Sequence, residues 1–520
     1  MAETPFMTGA PGQPNMNLPP TWQDRLGSPY LLLPITLLLL LLLTRTYTGL
    51  QASNPPPPGP KGAHTVPAVP YWLPLIGHIP NMAYDATNFV RNLRDTTSGG
   101  IFALNFFGGR HNIIHSPSLA TALLNQKPSI ATSEEVSRRL LNVVFGFPKS
   151  ELRKYDAALP ELMACYKYLL SEPGLTDMTQ QTSERLRGKA GEFVTGNESL
   201  VDQMLWERSS DVDVIMDKAG EEVVEASLLP LVRDFAAHVT VPTLMGSDFL
   251  ANFPEFFEDL WTLDRGFLLL ATGLPRWIPV PALTRAHIAR RRILAAIYEF
   301  HDALDKQMDG KNHDPKWSGV DDVGALVKAR EPVYRKHGFS IQARAATEHS
   351  LLWAANANSD TLIFWMINRI CADKALLEMV REEIAPYVKV VQPKSDLPIA
   401  EAPRLETFDI DGLCNNCPLL KSCYIECLRL DTSSWSLKVV KQDFVLQGRD
   451  KAAQSWQLRT GDYAHVAHDL HNTDPACFAD PDVWRPDRHM KFDEDTKRQV
   501  TDLGSFRPYG KDNNKVFVMV

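Results

Sequence analysis

The stretch CYIECLRLDTSS at 423–434 decides how the rest of this chain is read. Glu426 and Arg429 stand three positions apart, so on a helix they share a face and can form a charge-assisted pair. Solvated helices carry the same spacing everywhere, and the pair alone decides little. Its weight comes from DPDVWRPDRHM at 480–490, where Arg488 follows Pro486 and Asp487. An arginine arriving from this separate segment can close a Glu426–Arg429–Arg488 network. A buried network of that kind fixes geometry more reliably than it adds net stability.

Outward from that stretch the chain reads as one large body. Its 520 residues, 44% hydrophobic and 22% charged, are ordinary globular material, with no linker or repeat dividing them after residue 80. The net charge of -8 leaves no basic footprint for nucleic acid. Seven cysteines, an odd number in a long chain, fit a reducing compartment better than a disulfide framework.

The N-terminus carries a separate signal. Residues 30–43 are almost all aliphatic and 26–44 contain no charge. A helix over 26–44 spans ~28 Å, enough for a hydrocarbon core, and Pro34 is tolerable there. A cleaved signal peptide has an apolar run of similar length. The long stretch before the run, and the lack of a small-x-small site after it, favour an anchor. Arg25 before it and Arg45 and Lys61 after it place the body in the cytosol, so the sequon at Asn197 is expected to go unused. NPPPPGPKG at 54–62 favours polyproline II, a stiff spacer.

Within the body, GIFALNFFGG at 100–109 and HNIIHSP at 111–117 read as a hairpin with Gly108-Gly109 at the turn. Residues 118–390 are mainly helical in pattern. A helix is expected over 283–308 with Arg290 to Arg292 outward, and the longest over 340–371, ~48 Å if unbroken. Strands return near 438–446 and 456–458. The expected fold class is mainly α with a minor β part.

These residues resemble the cytochrome P-450 family. The Glu-x-x-Arg helix, the Pro486–Arg488 segment and FRPYG at 506–510 stand in the family's order, and the anchor, proline hinge and WLPLIGH start resemble a microsomal member. The likeness covers nearly the whole chain. It implies 1–25 lumenal, 26–44 transmembrane, 45–80 a hinge, 81–510 an incomplete P-450 domain and 511–520 an aberrant tail. It also implies a haem cofactor (iron protoporphyrin IX), with Glu426, Arg429, Arg488 and Arg507 on the cofactor's side of the fold.

The helix over 340–371 then passes over the haem. One register of LLWAANANSDTLIFW at 351–365 gives Ala357-Asn358-Ser359-Asp360-Thr361, in which Ala357 leaves room at the cofactor and Asp360 and Thr361 relay protons. A second register resembles the branch of sterol 7α-hydroxylases and prostacyclin synthase, where an asparagine replaces the usual alcohol; Asn358 is then the key residue. A polar stripe in a packed helix remains the plain alternative. For the haem propionates, Arg153 or Lys154 of ELRKYDAALPELM at 151–163 are the candidates, against an exposed helix face.

Cys414, Cys417, Cys423 and Cys427 form C-x2-C-x5-C-x3-C, a pattern that four thiolates binding zinc also show. Glu426 and Arg429 share that segment and its neighbours are apolar, so buried free thiols are the better expectation. No protein metal ligand is therefore assigned. The resemblance puts the axial thiolate at 516, where Val516 stands, and no cysteine follows Cys477. Thiolate ligation favours O–O cleavage, so another residue rarely substitutes. Two readings follow: the chain is a truncated relative, or Gly510-Lys511, which the codons GGTAAG would encode, marks an intron start and 511–520 are retained intron.

The implied activity is monooxygenation (hydroxylation or epoxidation) of a lipophilic small molecule such as a sterol, terpenoid or other specialised metabolite. Electrons would come from NADPH through NADPH–cytochrome P-450 reductase, with cytochrome b5 as a further donor, at the endoplasmic reticulum membrane. Two alternatives stay open: an isomerase or dehydratase on the same fold, prompted by Asn358, and a non-catalytic relative, prompted by Val516.

Overall fold

A computed structural model describes residues 29–54, 57, 62–393, 402–448, 454–504 and 506. The N-terminal apolar run forms a helix, Pro29–Ser53, that continues past Thr44. Of its span Leu32–Ser53 almost nothing is buried against the body, and its length and composition suffice to cross a membrane.

The body is mainly helical, as its pattern implies. The helix Pro281–Met308 packs along Phe256–Arg265 and Ile341–Asn356. Their apolar faces meet in one large core containing Phe249, Phe300, Trp317 and Trp353. Arg291 and Arg292 lie outward, but Arg290 turns in, and its guanidinium donates to the Val143 carbonyl at 2.7 Å. A buried ionic network ties three helices around that core. Arg344 reaches Asp305 at 2.8 Å and Glu331 at 3.0 Å, Arg330 reaches Glu348 at 3.2 Å, and the Tyr334 hydroxyl donates to Glu348 at 2.8 Å. Burying so much charge is tolerated because each group has a partner.

The minor β part joins the two ends of the chain. A five-stranded sheet runs Ile101–Phe106, Gly109–Ile114, Tyr463–Ala467, Trp435–Val440, Ala131–Thr132. Tyr463–Ala467 lies parallel to Gly109–Ile114 and antiparallel to Trp435–Val440. This central strand has no clear alternation in sequence and was not expected. The first hairpin forms, with its turn one residue earlier than Gly108-Gly109. Gly109 pairs with Phe106, and Phe107 and Gly108 take φ of 50° and 79°. Two positive φ values match the twist of the strands, which two-residue hairpins require.

The helix expected over 340–371 breaks into Ile341–Asn356 and Ser359–Ala372, leaving Pro281–Met308 as the longer element. Three side chains cause the break by donating to carbonyls four residues back. Asn356 Nδ2 reaches the Leu352 oxygen at 2.7 Å, Asn358 Nδ2 the Ala354 oxygen at 3.4 Å, and Ser359 Oγ the Ala355 oxygen at 3.0 Å. Side chains that compete for the helical ladder in this way bend or interrupt it.

Candidate active site

The Glu426 network closes as its sequence pattern suggests. The helix Pro418–Leu430 carries Glu426 and Arg429 on one buried face. Arg429 grips the carboxylate with two parallel bonds of 2.8 and 2.7 Å, and Arg488 Nε adds a third at 2.8 Å. His489 approaches the other oxygen at 3.1 Å, and the Arg485 backbone N–H donates at 3.2 Å. Burial alone would raise the Glu426 pKa. The bonds from Arg429, His489 and Arg488 outweigh it and hold the carboxyl at about 2.

The remaining guanidinium hydrogens clamp the segment around 472–483. Arg429 donates to the carbonyls of Asn472 and Pro481, both at 2.7 Å. Arg488 donates to those of Ala479, Asp480 and Val483 at 2.6–3.0 Å. Phe506, the first residue of FRPYG, is buried against Ile425 and Phe478, and His489 lies beside its ring. The network thus seats the start of the loop. Arg507 and Val516 lie outside the described residues. His489 escaped sequence reasoning because a residue next to Arg488 carries no periodic signal of its own.

The helix break supplies the second half of the site. Ala357 and Asn358 occupy the interruption, both half-buried. Asp360 is buried at 2% exposure and turns toward Leu228–Met245, while Thr361 is exposed. The two members of the expected relay therefore face differently. Ser359 Oγ lies 3.4 Å from Asp360 Oδ1, and Oδ2 has no hydrogen-bond partner among the described residues. Burial pushes the Asp360 carboxyl up to about 8, with the Ser359 bond and the Arg233 charge pulling the other way. Burial thus favours the protonated form of this side chain.

Around Asp360 stand groups that sequence did not single out. Arg233 and Asp234 pair at 3.5 Å, Asp234 accepts from Trp261 Nε1 at 2.6 Å and from Ser209 Oγ at 2.5 Å, and Arg233 lies over the Trp261 ring. Asn356 is fully buried and accepts from Thr240 Oγ1 at 3.2 Å. A polar residue within an apolar helix was the available signal, but it did not say which of several asparagines pointed inward.

Arg153 and Lys154 stand elsewhere. Both are exposed, and Lys154 donates to the Gly338 carbonyl, ahead of the first turn of the helix Ile341–Asn356 and far along it from the break. The cysteine quartet is likewise dispersed. Cys414 is exposed, Cys423 packs with Ile370, Leu376 and Val380, and burial raises the Cys423 and Cys427 thiols to about 12. Among the described residues no group of three ligand-type side chains gathers to hold a metal.

A haem needs a flat space beside an opened helix on one side and an axial donor on the other. The break sets the small side chain of Ala357 in a helix interruption, and the Glu426 network rigidly holds the segment that leads to Phe506. The donor set itself does not fit, because valine at 516 has no electron pair to give iron.

The sequence profile of the cytochrome P-450 family matches residues 196–510. Among curated proteins the chain is similar to the cytochrome P-450 monooxygenase efuG of Hormonema carpetanum. They are 24% identical over 467 residues, 88% of this chain and 75% of that protein. It is also similar to the monooxygenase poxD of Penicillium oxalicum, 22% identical over 464 residues, 89% of this chain and 83% of that protein. A third relative is the 25-hydroxycholesterol 7-alpha-hydroxylase of Rattus norvegicus, 25% identical over 297 residues, 54% of this chain and 64% of that protein.

Proposed function

Because the chain belongs to the cytochrome P-450 family, we propose that its body is built to insert one oxygen atom into a lipophilic small molecule, and that this activity requires a cysteine at 516. The substrate class is a sterol, terpenoid or other specialised metabolite, by likeness to relatives named for sterol 7α-hydroxylation and for fungal monooxygenases. Electrons come from NADPH through a separate reductase, with cytochrome b5 as a further donor. The helix Pro29–Ser53 anchors the body on the cytosolic face of the endoplasmic reticulum membrane, where an apolar substrate partitions.

The observation that carries this reading is the interrupted helix at Ala357–Asn358 with the buried Asp360 beside it. Haem with a thiolate ligand would supply oxygen activation. The chain's own residues do the rest. Ala357 keeps the side chain small at the break, and Asp360 offers a buried carboxyl whose second oxygen has no hydrogen-bond partner among the described residues. Glu426, Arg429, Arg488 and His489 fix the base of the loop.

The test is a variant in which a Gly-Gly-x-x-x-Cys-x-Gly loop, including Val516→Cys, follows Gly510. It should take up haem and show the long-wavelength Soret band of a thiolate-bound ferrous carbonyl, and the chain with Val516 should not. Failure of the restored variant to show that band sinks the reading. The same band from the Val516 chain refutes the requirement for a cysteine at that position.

A second reading, oxygen rearrangement or dehydration without external electrons, draws on the separation of Asp360 from Thr361, with Asn358 beside the break. Turnover by the restored variant without reductase and NADPH would favour it.

A further inference from the structure

The strands Asp213–Met216 and Glu222–Glu225 form a two-stranded hairpin that joins no larger sheet among the described residues. Asp213 stands opposite Glu225 and Ile215 opposite Val223, and the Asp217 N–H continues the ladder to the Glu221 carbonyl at 2.8 Å. Side chains two apart on a strand share a face. One face therefore runs from an acid pair (Asp213, Glu225) through an apolar pair (Ile215, Val223) to a second acid pair (Asp217, Glu221). The two acid pairs stand ~14 Å apart along the strands. All six of these residues are exposed, and none of the carboxylates has an ion pair among the described residues. The opposite face carries Val224, which lies toward the body at Gly196.

The same chain carries a surface of opposite sign. From 266 to 298 there is no aspartate or glutamate, while Arg276, Arg285 and Arg290 to Arg292 fall within that stretch. On the helix Pro281–Met308 Arg290 turns inward, and Arg285, Arg291 and Arg292 are exposed around Ile288, itself 42% exposed. Residues 285, 288 and 292 are three and four apart and share one face of the helix. Arg285 and Arg292 stand ~10 Å apart along its axis. Arg292 approaches Asp259 at 3.5 Å with 67% of its side chain exposed, and Arg285 and Arg291 have no acidic partner among the described residues.

Two exposed faces thus show one pattern, charge, apolar centre, charge, with opposite signs and matching spacing. The long arginine side chains span the remaining difference of ~4 Å. Like charges directly opposite on paired strands are unfavourable, and a lone hairpin is only marginally stable. Contact between the two faces relieves both.

We propose that this hairpin docks on the arginine face of the helix Pro281–Met308 in a second copy of the chain. Ile215 and Val223 pack on Ile288 of the second copy, and the flanking carboxylates pair with its Arg285, Arg291 and Arg292. The occupant is a second copy because the complement in sign, spacing and apolar centre is on this chain. The contact is heterologous, so a pair of molecules keeps one free hairpin and one free arginine face and association runs head to tail.

The test is sedimentation velocity of the full chain in neutral detergent micelles, with two charge reversals. One is Arg285→Glu with Arg291→Glu, the other Glu221→Arg with Glu225→Arg. The unaltered chain is expected to associate past dimers as its concentration rises, and each variant to associate about tenfold more weakly or less, since like charges then meet across the contact. An equal mixture of the two variants regains association, because the native hairpin of one meets the native arginines of the other. That rescue also shows that both variants fold. An unaltered chain that stays monomeric, variants that associate as it does, or a mixture that stays dispersed overturns the proposal. A lipid occupant is separated by placing photoreactive benzoylphenylalanine at position 288 of the full chain in phosphatidylcholine–phosphatidylserine vesicles. Adducts to the 213–225 peptide of a second copy support the proposal, and adducts to phospholipid alone overturn it.

Discussion

At Glu426 burial and hydrogen bonding pull in opposite directions, and the outcome sets how this protein meets acid. The carboxyl is held at about 2 against an ordinary 4.5, so the stabilisation it brings is present above the ordinary value. It is lost as pH falls from about 4.5 toward about 2. Glu426→Gln leaves Arg429, fully buried, without its counter-charge. A loss of ~3–5 kcal/mol at neutral pH is expected, with a flatter pH dependence below pH 4.5. Denaturant midpoints across that window measure both, and an unchanged neutral midpoint refutes the network's role. Sequence disclosed Glu426 and Arg429 through helical spacing and Arg488 through its position after a proline. His489 and Asn472 were illegible, since their roles depend on a fold-back of the segment that Arg429 and Arg488 clamp. Asp360 was legible as a residue and illegible in direction, because a broken helix resets which face each position occupies.

Elements followed their patterns except where local hydrogen bonds overrode them. The apolar periodicity over 340–371 continues through the break, so pattern alone reads one helix. The interruption comes from polar side chains at Asn356, Asn358 and Ser359 that bond backward to carbonyls. In the hairpin, two adjacent glycines suggested the turn, but strand pairing moved it to Phe107-Gly108. Phe107→Asn creates Asn-Gly, the pair that suits this turn, and relieves a left-handed phenylalanine that costs ~1–2 kcal/mol. In detergent the variant should gain about 1 kcal/mol in denaturant stability. A loss of stability means that the phenylalanine backbone carries no strain.

Across the whole molecule, the five-stranded sheet brings residue 111 to residue 465. His111 Nδ1 and His465 Nε2 stand 2.9 Å apart, with Tyr463 stacked on His111. Burial lowers His111 to about 4 and His465 to about 3, with the His111 charge adding to the shift of His465. Both are neutral at pH 7, and the unfolded chain takes up protons first as pH falls. Stability is complete above 6.5 and lost from there down through about 4 to about 3. Each such group contributes a slope of up to about 1.4 kcal/mol per pH unit. His465→Gln should flatten the fall between pH 6.5 and 4, and urea midpoints in that range check it; an identical fall in both proteins refutes the coupling. The sequence by itself determined the family, the apolar helix at the N-terminus, the Glu-x-x-Arg pair and the valine at 516, because each lies in a local pattern or a residue's chemistry. Tertiary structure decided which way Asp360 and Thr361 face, which histidine joins Glu426, and that Tyr463–Ala467 completes the sheet. These depend on contacts between residues tens to hundreds of positions apart, and no local periodicity records such contacts.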